Sequence, residues 1–286
     1  MKEFIKRLKR KIRELINYLA WSKQYNTILS GPRKPNFVLN MNWYAGHKIL
    51  LMVPHADDEL ISSYSVLRNA SDVTVYYFGF TGSNHTVENR LIRQKEILEL
   101  CSELGVKVIE GNGACENLES VLQEGHYDSI LLPSIVDWHP EHRKVSYMIS
   151  DVCVRLGFAP DIYSYTVTVP NESQREVICA PLTKEQQRRK YGLFNQVYLS
   201  QKVMPIVRLK LNERINGYHA GCYAAECFMK YTEFNSWLNS VEKVKISEDE
   251  KDPNMVALIN SLRTNLNNLV SVREASKEYY CLLESE

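Results

Sequence analysis

The sequence lacks any run of about 18 apolar residues, so no transmembrane helix is expected from it. Its N-terminus is positively charged but has no apolar core behind the charges, so a secretory signal is not expected either. No pair among the seven cysteines (101, 115, 153, 179, 222, 227 and 281) has CxxC spacing, and their number is odd. A chain of 286 residues has no need of disulfide staples. The cysteines therefore read as reduced thiols of a cytoplasmic protein, mostly core filler. An excess of one charge is missing too. The 35 Lys+Arg stand against 34 Asp+Glu, which leaves no field that calls for nucleic acid as a partner.

What is there begins with a basic segment. Over residues 1–22, Leu8, Ile12, Leu15, Ile16 and Leu19 recur at helical spacing while Lys and Arg crowd the polar side. Such a helix has two uses. It can lie on an anionic membrane surface, as a peripheral contact through residues 1–22, or it can dock its apolar stripe on the main domain. Docking is the commoner use. Gly31-Pro32-Arg33-Lys34-Pro35-Asn36 is a breaker cluster and so a linker.

From about residue 47 the pattern alternates. Strands are expected at 48–53, 73–80, 106–110 and 129–133, with helices at 59–69, 88–104, 118–123 and 145–156 between and after them. Gly105 stands at the usual helix stop. This order implies an α/β fold with a parallel, doubly wound sheet and right-handed crossovers. Two more strands are expected at 161–170 and 176–181, one of them at the sheet edge. Helix-like stretches follow at 183–201 and 209–242, then a charged loop over 243–254 and a C-terminal helix carrying Leu258, Leu262, Leu266 and Leu269.

Two polar clusters follow the ends of buried strands. Pro54-His55-Ala56-Asp57-Asp58-Glu59 comes after Ile49–Val53, and Asp137-Trp138-His139-Pro140-Glu141-His142 comes after Ile130–Pro133. The first and fourth strands of such a sheet flank the switch point, where ligands bind beyond the carboxyl ends. His55 and Asp58 are three apart at a helix start and can reach one metal, and His139 and His142 repeat that spacing. Hydrolysis then suggests a division of labour. His55, Asp58 and His142 bind zinc and leave one position for water. Asp57 takes the proton as general base, His139 stabilises the oxyanion as a cation or donor, and Glu141 holds the His139 ring in orientation. Each cluster alone has an ordinary reading, as N-capping carboxylates or a surface histidine pair.

The same residues carry a resemblance. Pro54–Glu59 resembles the PHPDDE motif of the PIG-L/LmbE-like de-N-acetylases, and His139–His142 resembles that family's HPDH motif. The resemblance implies a Rossmann-like fold and zinc-dependent removal of acetyl from an N-acetylglucosamine-type glycan, glycoconjugate or glycolipid. By the family's pattern the metal ligands are His55, Asp58 and His142, the general base is Asp57, and His139 assists the transition state. Arg93-Gln-Lys-Glu96 with Leu104-Gly105-Val106 is similar to its R-x-x-E…LGV helix, which makes Arg93 a substrate-contact candidate. Lys190…Tyr198-Leu-Ser200-Gln201 looks like its K…Y-x-S-Q stretch, and Tyr223-Ala-Ala-Glu226-Cys-Phe228 like its YAExF stretch. Ala56 stands where the family has Pro, and Glu141 where it has Asp.

The expected organisation is a basic amphipathic helix and linker at 1–46, a deacetylase domain at 47–234, and a helical extension at 235–286 packed on the same domain. Zn2+ is the expected cofactor, although another divalent transition metal could take its place. Two other functions fit the same residues. One is a metal hydrolase of a different amide or ester; the other is a Rossmann-like sugar-binding or scaffold protein with a retained metal. The loop Thr81-Gly82-Ser83-Asn84-His85 reads as pocket wall, with His85 at a rim or surface rather than on the metal.

Overall fold

The run Ile49–Val53 offers no polar face to water, and it folds as a strand buried on both sides near the middle of a sheet. In the computed structural model, which describes residues 2–82, 86–113, 115–201 and 204–284 with side chains from residue 15, this strand is β2 (Lys48–Val53). It is followed by α2 (Asp58–Asn69), β3 (Asp72–Tyr77), α3 (Val87–Leu104), β4 (Lys107–Glu110), α4 (Leu118–Gly125), β5 (Ser129–Pro133), α5 (Pro140–Leu156) and β6 (Asp161–Tyr165). These strands are parallel in the spatial order β4-β3-β2-β5-β6, so the order reverses between β2 and β5. The expected doubly wound sheet is present, and both polar clusters lie just beyond the strands at its switch point. Alternation along β2 separates the two layers. Ile49, Leu51 and Val53 join the core under α2 and α3, while Leu50 and Met52 join the one under α4 and α5.

The rest of the sheet departs from the expectation. A short β1 (Phe37–Leu39) lies inside the stretch read as linker and pairs in parallel with β7 (Val177–Leu182). It occupies the edge position expected for one of the later strands. After α6 (Lys184–Val197), the single helix expected over 209–242 is three elements: α7 (Ile206–Ala220), β8 (Ala224–Lys230) and α8 (Phe234–Asp249). Gly221, at φ 83°, ends α7 in the left-handed region. β8 then runs antiparallel between β6 and β7. It is buried on both faces and so shows no strand alternation in sequence. The charged loop expected over 243–254 is also helical at both ends. α8 continues to Asp249, and Pro253 opens α9 (Pro253–Asn265) behind an Asp252 cap, the one helical position that suits proline. Leu266 and Leu269 lie past α9, and α10 (Ser271–Glu284) closes the chain. Trp237, Val241, Met255, Leu262, Val272 and Tyr279 of these last helices share one core with β2 and β5.

The N-terminal helix α1 (Lys2–Leu29) is longer than expected. It docks through Trp21 and its neighbours Tyr25, Ile28 and Leu29, while Leu15, Ile16 and Leu19 of the predicted stripe are exposed. The side chains of Leu8 and Ile12 lie outside the described residues, and among those described the docking face begins at Trp21.

What fixes α2 in place is a buried charge cluster. Ser63, at φ −135° and ψ 25°, interrupts the helix and strands the backbone groups on either side. Lys190 Nζ donates to the Ile61 carbonyl at 2.5 Å, and Glu226 accepts from the Tyr64 and Ser65 amides at 3.0 and 2.8 Å. Lys190 also donates to Glu213 and Glu226, at 2.6 Å each. The ammonium is wholly enclosed. Burial alone would lower its pKa, but the two carboxylates raise it, so it stays charged. Lys190→Met leaves two buried carboxylates and a bare carbonyl, and is expected to cost about 3–5 kcal/mol in urea unfolding. Glu226→Gln, which keeps a carbonyl acceptor, is expected to cost less.

Candidate metal centre

Strand β2 delivers Pro54–Asp57 into a tight turn, and α2 starts at Asp58. The turn is strained at Asp57, whose φ of 121° is unusual for a residue with a Cβ. The bend is secured by Glu59, which accepts from the Asp57 amide at 3.2 Å and is held by the Tyr198 hydroxyl. Across the switch point, the Asp137 carboxylate accepts from the His139 amide at 2.8 Å. Pro140 occupies the first turn of α5, so that helix starts five residues earlier than its expected start at 145.

These two turns bring three donor atoms together. His55 Nδ1 is 3.1 Å from Asp58 Oδ2 and 3.2 Å from His142 Nε2, and the latter two are 3.4 Å apart. Ligands about 2.0–2.1 Å from a shared tetrahedral centre stand roughly 3.3–3.4 Å from one another, so the spacing suits one small cation. The outer nitrogen of each ring is engaged. His55 Nε2 donates to Glu141 at 2.6 Å, and His142 Nδ1 donates to Asp137 at 2.9 Å. In the neutral rings, both inner nitrogens then present lone pairs to each other, an arrangement that needs a metal or a proton between them. Burial would lower the His142 pKa, but Asp137 and Asp58 push it up to about 10. The enclosed space favours positive charge.

His139 is half-buried and also offers a ring nitrogen, within 4.8 Å of those of His55 and His142. The three imidazoles could hold a metal ion, so Asp58 and His139 are rivals for the third place. His139 also caps α5, its Nδ1 accepting from the Glu141 amide at 3.3 Å. That bond leaves the proton on Nε2, which faces the Gly82 side of the cleft. Burial and the two neighbouring imidazoles lower its pKa to about 4, so the ring is neutral. Asp57 is buried, and its Oδ2 has no hydrogen-bond partner among the described residues. Burial, then Asp58 and Glu59, raise its pKa well above the usual carboxylate range, against the pull of Arg93 and His142.

The expected role of Glu141 is corrected by its contacts. Its carboxylate grips His55 and the Gly82 amide, at 2.6 and 3.0 Å, and only its backbone N–H meets His139. Asp137 has no role in the sequence reading, yet it holds His142. Its carbonyl accepts from Arg143 Nη1 at 2.6 Å, and Glu248 of α8 in turn holds Arg143, with Tyr147 donating to Glu248 at 2.6 Å. The C-terminal helices thus reach the back of the site through three side chains.

The cleft is lined by Thr81, Gly82, Arg93, Trp138, Val167, Thr168, Gln201 and Met204 around the histidines and aspartates. Its cavity volume is about 270 Å³, just under the roughly 300–1,000 Å³ usual for ligand sites. Arg93 sits on the wall. With its amide oxygen turned inward, Gln201 accepts from Arg93 Nε and Nη2 at 3.2 and 3.1 Å. Glu96, one turn on from Arg93, accepts from the Ser200 amide and hydroxyl at 2.7 and 2.6 Å. The R-x-x-E and Y-x-S-Q stretches therefore interlock at the rim. Ser83, Asn84 and His85 lie outside the described residues.

Glu141→Gln and Asp137→Asn each loosen one imidazole while leaving all inner donors in place. Each is expected to weaken binding of a divalent metal about 10–100-fold in a chelator-competition titration.

No protein-family model matches this sequence, and no curated protein matches it. Solved structures do. The zinc-inhibited form of teicoplanin deacetylase Orf2 superposes with a TM-score of 0.51 at 13% identity, over 65% of this chain and 98% of that one. The conserved protein TT1542 from Thermus thermophilus gives 0.51 at 19% identity, over 64% and 94%. A deacetylase–teicoplanin complex gives 0.50 at 13%, over 65% and 98%. The chain shares the α/β fold of these proteins.

Proposed function

We propose that the chain is a zinc-dependent hydrolase that removes acetyl from an N-acetylated amino sugar. One observation carries this reading: His55 Nδ1, Asp58 Oδ2 and His142 Nε2 converge at 3.1–3.4 Å beside Asp57, whose Oδ2 has no partner among the described residues. The deacetylases that share the fold support the reaction class. Asp58 is preferred to His139 as third ligand, because its Oδ2 lies within 3.4 Å of both inner nitrogens. Zinc held by these three groups supplies Lewis acidity, polarising a carbonyl and lowering the pKa of water towards about 7.

The chain's own groups account for the remaining steps. Asp57 takes a proton from the attacking water and later gives it to the leaving nitrogen, so that the C–N bond breaks to acetate and a free amine. A carboxyl pKa raised by burial and by the Asp58 and Glu59 charges strengthens Asp57 as the base. His139, neutral and with its proton on Nε2, donates to the developing oxyanion rather than acting as a cation. Glu141 and Asp137 keep the His55 and His142 rings turned inward. Arg93, braced by Gln201, offers a cation to substrate oxygens, while Trp138, Val167 and Met204 supply the apolar wall against a sugar face.

The test is acetate release from a panel of N-acetylglucosamine conjugates. Turnover is expected to vanish on chelation and to return with zinc. Asp57→Asn is expected to lower kcat by about 10²–10⁴ with zinc affinity retained. Full turnover by that variant would sink the mechanism, and zinc binding without acetate release from any conjugate would move the activity to another amide or ester.

A further inference from the structure

Helix α1 has 28 residues and is about 42 Å long at 1.5 Å per residue. Its described anchors all lie in its last third. Trp21 is buried against Leu211 and Ile215 of α7, its Nε1 donates to the Asn267 carbonyl at 2.9 Å, and Gln24 accepts from the Leu269 amide at 2.9 Å. The two helices run in the same sense, since Trp21 lies against Leu211 and Ile215 while Tyr218, near the end of α7, donates to the Gly31 carbonyl just past the end of α1, at 2.6 Å. With equal rise along both, the start of α7 is level with about residue 16 of α1. From there towards its N-terminus, α1 runs beyond the helix that supports it.

Where that support ends, large apolar side chains stand in water. Leu15, Ile16 and Leu19 are 58, 60 and 59% exposed, and Tyr18 is 49% exposed. Just before them the sequence changes character. Residues 1–14 hold seven Lys or Arg against Glu3 and Glu14, a net +5, and with the whole chain at +1 the remaining residues carry −4. The positive charge is therefore concentrated in one terminal segment, next to an uncovered apolar cluster. A second copy is a poor cover for this surface, because it would bring the same +5 against it. An anionic bilayer matches both parts, with phosphates for the basic segment and an acyl boundary for the leucines and isoleucine. Among the described residues no helix is long and apolar enough to cross a membrane, so contact would be in the interface plane.

We propose that α1 is a membrane-surface helix, which seats Leu15, Ile16 and Leu19 in the headgroup boundary of an anionic leaflet. The inference is independent of the chemistry in the cleft, and its test reads binding without turnover. The full chain is sedimented with vesicles of phosphatidylcholine alone and of phosphatidylcholine mixed with phosphatidylglycerol. Binding is expected only to the mixed vesicles, and it should weaken as salt is raised. Leu15→Ser with Ile16→Ser and Leu19→Ser is expected to lower partitioning at least ~10-fold. Lys9→Gln with Arg10→Gln and Arg13→Gln should lower it roughly fivefold per charge removed. The Leu15/Ile16/Leu19 variant should keep the unfolding midpoint of the parent, since these three side chains are exposed. Equal binding to both vesicle types, or no binding to either, would overturn the proposal. So would a doubled mass in light scattering that the Leu15/Ile16/Leu19 variant abolishes, because the apolar face would then belong to a dimer.

Discussion

The fold and the site both depend on one enclosed ammonium group. α2 is buried along nearly its whole length and still carries a break at Ser63, so its stranded amides and carbonyl cannot turn to water. Lys190 and Glu226 supply the missing partners from two other elements. A charge pair in this position would be a poor source of net stability if its only partners were each other. Here the partners include backbone that has nowhere else to bond. The cluster thereby ties α6, α7 and β8 to the helix whose first turn carries Asp57, Asp58 and Glu59.

At the other end of that helix the controlling constraint is charge density. Asp57, Asp58, Glu59 and Asp137 lie buried within a few residues of two imidazoles that face each other. Each carboxylate has a separate task, set by what it touches. Asp58 faces the inner nitrogens, Asp137 and Glu141 grip outer ones, and Glu59 is taken up by Tyr198 and the Asp57 backbone. Among the described residues Asp57 has a buried oxygen without a partner, and it is also the residue held in a strained backbone conformation. Strain and an idle carboxylate coincide where proton transfer is proposed.

Much of this is legible in the sequence alone. The strands ending at Val53 and Pro133 are continuous apolar runs, and the polar clusters follow them directly, so their meeting at the switch point can be deduced from order alone. The partner of Glu141 cannot. Glu141 lies two residues from His139, but which imidazole its carboxylate reaches depends on the direction of the first turn of α5. β8 is hidden for a different reason. A strand buried on both faces has no alternation, and Glu226 in its middle looks like a helix-surface residue until Lys190 is seen beside it. The network of Lys190, Glu213 and Glu226 is spread over 37 positions of sequence (190–226) with no local periodicity to mark it.

Glu248 bears on how such a chain could diversify. The solved structures that share the fold superpose on about two thirds of this chain. Through Arg143 and the Asp137 carbonyl, helix α8 reaches the support of His142. Helix α8 is therefore not an interchangeable module that recombination could swap without touching the site. A graft from a relative would have to bring its own counterpart to Glu248 or redesign the second turn around Arg143. A chain built this way is in that sense committed to α8, because the helix is part of the frame of the site.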